Sequence, residues 1–185
     1  KGAPVERLEL PATMRVLSLT QLPYLTAENI VLENVANLQN INISACPNLS
    51  NDFDFIYDWY TKKTSSDTTC SLVMDAVDWQ NVDVEKFIEL ANITNLSLKG
   101  KVYLNSISLE QMYVLMDKFG ESAFNEDAEF FIDGPANAFV LGNTEVLEGT
   151  SETYKVVAFG GKAKSIQFSL YNGSNSYTSV TQNGV

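Results

Sequence analysis

Residues 38–49, LQNINISACPNL, place Leu38, Ile41, Ile43, Cys46 and Leu49 at intervals of three, two, three and three. A helical period of 3.6 does not bring Ile41 and Ile43 to one face. A strand period of two does not take Leu38, Cys46 and Leu49 into the same buried set. The object that buries these five positions is therefore not a single helix or a single strand, and its spacing is a pattern to be sought elsewhere in the chain.

The pattern recurs. Met14, Leu17, Leu19, Leu22 and Leu25 have the same offsets, and so do Ala27, Ile30, Leu32, Val35 and Leu38. Ile93, Leu96, Leu98 and Leu104 repeat it with Lys101 in the slot that Cys46 fills. Weaker copies are Thr69, Leu72, Met74 and Val77, and then Phe130 with Ile132.

This spacing resembles the L-x-x-L-x-L-x-x-N/C-x-L of leucine-rich repeats, which residues 38–49 match at every position. The resemblance implies an α/β solenoid, with each copy a short parallel strand, a turn and a returning segment. The pairs Leu17/Leu19, Ile30/Leu32, Ile41/Ile43, Leu72/Met74, Leu96/Leu98 and Phe130/Ile132 are then expected to stack as six neighbouring strands in chain order. The first three pairs recur faster than the roughly 20 to 29 residues usual in that family, which implies minimal coils without helices there.

Longer insertions later in the chain carry helical spacing. Phe55, Ile56, Trp59 and Tyr60 follow an Asp or Asn cap; Val84, Phe87, Ile88 and Ala91 follow Asp83. Leu109, Met112, Tyr113 and Met116 follow Ser108 and precede Gly120, a helix stop. Three helices on the convex side are expected. The polar stretch TKKTSSDTT, residues 61–69, reads as a turn-rich loop.

From Phe139 onward the helical spacing ends, and short runs of alternating apolar and Tyr, Thr, Ser, Gly or Asn residues read as antiparallel strands. Their order resembles bacterial immunoglobulin-like domains, with a further strand expected beyond Val185. The expected organisation is a solenoid over residues 1–134 and a partial immunoglobulin-like β-sandwich over 135–185. The start KGAPVERLEL, with neither an initiator Met nor a signal-type apolar run, reads as a mature or excised segment of a longer chain.

Composition narrows the function. With 45% apolar residues among 185, the chain can bury a real core. A formal net charge of −11 opposes contact with phosphate, so no nucleic acid is expected as partner. No apolar run approaches the roughly 18 residues of a membrane span, so no membrane insertion is expected. The chain has no histidine, which removes His-based triads, general bases and metal sites. Asp52, Asp54 and Asp58 could hold a hard cation, but helix capping accounts for them without one. No spacing singles out a carboxylate pair for glycoside hydrolysis. Cys46 and Cys70 either pair or sit as two buried free thiols, the reading their turn and strand positions favour. The N-x-S/T sequences at Asn42, Asn48, Asn92, Asn95 and Asn172 are glycan acceptors or turn asparagines. No cofactor and no catalytic residue is expected.

One surface has a geometric argument. Side chains alternate along a strand, so the residues between and beside the buried pairs point outward and form a polar face. The expected ligand-binding set is Asn29, Asn40, Asn42, Ser44, Ser71, Asp75, Asn95, Ser97 and Phe131. Solenoids bind on such extended faces. The expected function is a non-catalytic binding or adhesion module on the outside of a bacterial cell, taking a protein or a glycan. The alternative is a structural spacer or subunit of a surface or phage-tail assembly.

Overall fold

The computed structural model describes residues 4–31, 36–61, 70–143, 145, 147, 149–160, 165–172 and 175–183. The chain divides into two compact units, Lys1–Gly134 and Pro135–Val185. In the first, strands β1 (Leu8–Glu9), β2 (Val16–Thr20), β3 (Ile30–Val31) and β4 (Asn40–Ser44) precede helices α1 (Pro47–Ser50) and α2 (Phe53–Thr61). Then follow β5 (Cys70–Val82), α3 (Val84–Ile93), β6 (Thr94–Leu104), α4 (Leu109–Phe119) and β7 (Phe130–Asp133).

Strands β2, β4, β5, β6 and β7 form one parallel sheet in that order. Two rows of apolar side chains cross it. Leu17, Ile41, Leu72 and Leu96 make one, and Leu19, Ile43, Met74 and Leu98 the other. Against them lie the buried faces of the helices: Phe53, Ile56, Trp59 and Tyr60 from α2, Val84, Phe87, Leu90 and Ala91 from α3, and Met112 and Leu115 from α4. A run of rings joins these elements. Trp79 of β5 meets Phe53 at 5.0 Å and Phe87 at 6.3 Å, Phe87 stacks on Phe119 at 5.6 Å, and Phe119 meets Phe130 of β7 at 5.2 Å.

The helices start and stop on local signals. The Asp52 carboxylate accepts the Phe55 amide at 3.0 Å, and that of Asp83 accepts the amides of Glu85 and Lys86. Ser108 and Gln111 form a capping box, and Gly120 at φ 83° ends α4. Each cap satisfies amides that have no partner inside the helix. The buried faces differ in detail from the expected ones. Ile88 and Phe55 are half-buried and Tyr113 is exposed, and the places expected for Ile88 and Tyr113 are taken by Leu90 and Leu115.

The solenoid expectation is corrected: the unit is a mixed α/β fold built on a five-stranded parallel sheet. Ile30 and Val31 do not join that sheet but pair with Leu8 and Glu9 in a separate two-stranded one. The sheet neighbour of Leu17 is therefore Ile41, 24 residues on, and among the described residues no coil of 11 to 13 residues forms. Strands β5 and β6 run for 13 and 11 residues, far beyond one L-x-L pair. Lys101, set in a buried turn slot by the repeat, lies within strand β6. Phe130 pairs with Gly100, so the last strand sits beside the far half of β6, away from Leu96 and Leu98. A motif matched over a dozen residues records which side chains a strand buries, and that requirement is the same in any one-sided parallel sheet. Leu32, Glu33, Val35 and residues 62–69 lie outside the described residues.

A second feature organises the sheet. Gln21, Ala45, Ala76 and Gly100 have φ of 57°, 52°, 54° and 126°, each two residues after the second buried residue of its strand. Only glycine takes such angles without strain. At Ala76 and Gly100 the strands bend and resume. The register between β5 and β6 shifts there, from Met74 opposite Leu98 to Val77 opposite Gly100. The bend returns Val77 and Trp79 to the buried side after Met74, and a second left-handed residue, Asn81 at φ 55°, with a further register shift does the same for Val82.

In the second unit, β8 (Asn137–Leu141) pairs antiparallel with β9 (Lys155–Phe159), and β10 (Ser165–Asn172) with β11 (Asn175–Asn183). These are separate two-stranded sheets. The expected immunoglobulin-like sandwich is therefore corrected: such a fold packs two multi-stranded sheets face to face, and the described strands of this segment pair two by two. Alternation identified strands here but contains no information on how many share a sheet.

Candidate functional site

The sheet face opposite the helices carries the polar residues between the buried pairs. Register places Val16, Asn40, Ser71 and Asn95 in one row, and Ser18, Asn42, Val73 and Ser97 in the next. Asn40, Asn42, Asn95 and Ser97 are exposed, and Ser71 is half-buried. Five of the expected site residues are thus brought together on adjacent strands. Neighbouring strands lie about 4.8 Å apart, so these amides and hydroxyls form a lattice fixed by the backbone.

The next row is engaged internally. Ser44 Oγ donates to Asp75 Oδ2 at 2.5 Å, and the Ala45 amide donates to Asp75 Oδ1 at 2.9 Å. The Ser44 hydroxyl, then the Ala45 amide, hold the Asp75 carboxyl below its ordinary range, with Lys99 adding to the effect and partial burial opposing it. Asp75 thereby clamps the left-handed turn at Ala45. Ser44 and Asp75 are structural members of the face.

Beyond the bends the face changes character. Asp78, Lys101 and Phe131 form a row across β5, β6 and β7. Lys101 Nζ stands 5.2 Å from the Phe131 ring centre, 5.9 Å from that of Tyr103, and 3.2 Å from Asp133 Oδ2. Lys99 Nζ meets Glu129 at 3.0 Å. Phe131 is therefore half-buried beside a lysine near the β7 edge, away from the asparagines. Lys99 stands on the face as its place beside Leu98 implied, whereas Lys101 and Tyr103 were missed as face residues. They share the odd parity of Asn95 and Ser97 along β6, a signal that the assignment of Lys101 to a turn concealed.

Asn29 does not belong to the face. It closes a 3-10 turn, Ala27–Asn29, where its Oδ1 accepts from the Thr26 amide and hydroxyl and its Nδ2 donates to the Glu6 carbonyl at 3.1 Å. Other asparagines hold turns in the same way. Asn37 Nδ2 donates to Ala12 O at 2.6 Å and Asn48 Nδ2 to Pro23 O at 2.8 Å.

A cleft of about 660 Å³ opens beside the first turns of α2 and α3. Its charged side chains are engaged: Asp52 and Asp83 as caps, and Asp54 with Lys86 at 3.0 Å. Among the described residues no group of three or more His, Cys, Asp or Glu side chains is placed to hold a metal ion. Asp52 and Asp54 thus have structural partners, and no cation site forms with Asp58. Cys46 and Cys70 are buried and not joined in a disulfide, their thiols donating to the Leu19 and Leu38 carbonyls respectively. No described helix is long and apolar enough to cross a membrane.

Compared with protein-family models, with curated proteins and with solved structures, the chain matches none. Its function is argued from geometry alone.

Proposed function

We propose that this chain is a non-catalytic binding module, displayed outside the cell, that takes a protein or glycan ligand on the outward face of its parallel sheet. One observation carries the reading: Asn40, Asn42, Ser71, Asn95 and Ser97 stand on three adjacent strands in register, with their amides and hydroxyls outward. A ligand with its own repeating hydrogen-bond groups, whether sugar hydroxyls or peptide amides, meets a matching lattice. The face needs little rearrangement to bind, because the side chains sit on regular strands, and a preorganised surface loses less entropy on association.

The test is a screen of the wild-type chain against glycan arrays and extracellular matrix proteins. Any hit is then repeated with Asn42→Glu and Asn95→Glu combined. Loss of binding with stability held within about 0.5 kcal/mol supports the reading, because both side chains are exposed. Binding that survives the double substitution moves the site off this face. A screen with no hit leaves the spacer or assembly-subunit role as the better account.

A further inference from the structure

The two edges of the five-stranded sheet are unlike. Strand β7 is short, carries Asp133, and follows directly on Glu129, charges that discourage another strand from pairing with it. Strand β2 is only one residue longer, but it carries none of that acidic charge. Its sequence, VLSLT, holds no charge and no proline, and between Glu9 and Glu28 the only charged residue is Arg15. In a chain of net charge −11, this is a region where a second copy meets no like-charge repulsion. Val16 is 63% exposed and Tyr24 71% exposed on the same stretch.

The backbone geometry shows what that edge offers. The Arg15 carbonyl accepts from the Asn40 amide at 3.1 Å, and the Gln21 amide donates to the Ser44 carbonyl at 3.0 Å. Residues facing a parallel neighbour alternate along a strand. Arg15, Leu17, Leu19 and Gln21 therefore turn their polar groups to β4, and Val16, Ser18 and Thr20 turn theirs away from it, at the sheet edge.

We propose that this edge is a homodimer interface, in which Val16–Thr20 pairs antiparallel with the same strand of a second copy about a two-fold axis at Ser18. The segment is self-complementary in that arrangement. Val16 falls opposite Thr20 of the second copy and Ser18 opposite its own counterpart, so the outward-turned amides and carbonyls meet one another. Leu17 falls opposite Leu19 of the second copy on the helix-covered side, which continues the buried rows of both sheets. The outward polar faces become one surface carrying two copies of the Asn40, Asn42 and Asn95 lattice. Two linked sites on one rigid sheet bind a repetitive ligand more tightly than one. The dimer itself does not depend on what that ligand is.

Sedimentation equilibrium of the full 185-residue chain, from about 1 to about 200 µM, is expected to show a reversible monomer–dimer transition. Ser18→Pro removes the amide at the centre of the interface, and Val16→Lys places a charge beside the axis. Each is expected to weaken dimerisation at least about tenfold while circular dichroism and melting temperature of the monomer stay as in wild type. Ser97→Lys, on the same face but far from the edge, is expected to leave the dimer unchanged. If Ser18→Pro fails to fold, Val16→Lys decides the matter, since its side chain already stands in solvent. A wild-type chain that is monomeric throughout the range overturns the proposal. So does a dimer indifferent to both edge substitutions, or an open-ended oligomer where a closed two-fold pair is expected.

Discussion

The indole Nε1 of Trp79 donates a 2.6 Å hydrogen bond to the carbonyl oxygen of Ser50 inside the core. The bond ties the far half of β5 to the last turn of α1, where helix carbonyls have no partner of their own. The left-handed bend at Ala76 is what brings Trp79 to that side of the sheet.

Trp79→Phe keeps most of the ring and removes the donor. The buried Ser50 carbonyl is then left unsatisfied beside a small void, and a loss of about 2 to 4 kcal/mol is expected in urea unfolding. Trp59 is equally buried, but its Nε1 has no hydrogen-bond partner among the described residues. Trp59→Phe is expected to cost clearly less, because it also removes an unsatisfied N–H. Equal losses at the two positions would show that the Trp79 bond contributes nothing.

A Cβ on Gly100 would stand 2.1 Å from the Val77 carbonyl oxygen, in a backbone conformation at φ 126°. The oxygen belongs to the main chain in the middle of the sheet and the Cβ position is fixed by the backbone, so neither can swing aside. Gly100→Ala is expected to cost about 3 kcal/mol or more. Gly120, at φ 83° with its nearest neighbour at 3.8 Å, has room for a methyl group. Gly120→Ala then meets no clash and carries only the strain of a backbone conformation that side chains disfavour, about 1 to 3 kcal/mol. Thermal melts of the two variants rank them; the reverse order would contradict the close approach at Val77.

Leu98 is buried and its neighbour Ser97 is exposed on the opposite face. Leu98→Ala is expected to cost about 2 to 5 kcal/mol and Ser97→Ala almost nothing. Leu96, in the other apolar row, is only half-buried, and Leu96→Ala is expected between them. A denaturant series in which Ser97 matters as much as Leu98 would mean that β6 presents its other face to the core.

Asp75 provides a pH test. Its carboxyl is held below the ordinary value of 3.8, chiefly by the Ser44 hydroxyl. A depressed carboxylate stabilises the folded state fully above its unfolded value, and that contribution fades as pH falls through the lower folded value. Asp75→Asn is therefore expected to be less stable than wild type at pH 7, with the difference shrinking below about pH 4. Melting temperatures measured from pH 2 to 7 read the convergence; a gap that does not change with pH would show that the carboxylate charge plays no part.

Local chemistry decided much of this molecule. Alternation around Ile41 and Ile43 specified which side chains β4 buries and which it leaves outward, and Asp83, Ser108 and Gly120 specified where helices begin and end. These signals act over a few residues, through side-chain direction and through amides that need a partner, so they are written in the chain itself. Partnership was decided elsewhere. Ile30 has the same local pattern as Ile41 yet pairs with Leu8 outside the main sheet, and Phe130 sits beside Gly100 and not beside Leu96. Leu90 is buried where spacing had assigned Ile88, which is half-buried. A left-handed residue at Ala76 let β5 continue where a repeat would have turned. Each of these depends on contacts between residues distant in sequence, where the free energy of burying one surface against another chooses among arrangements that local pattern leaves equivalent.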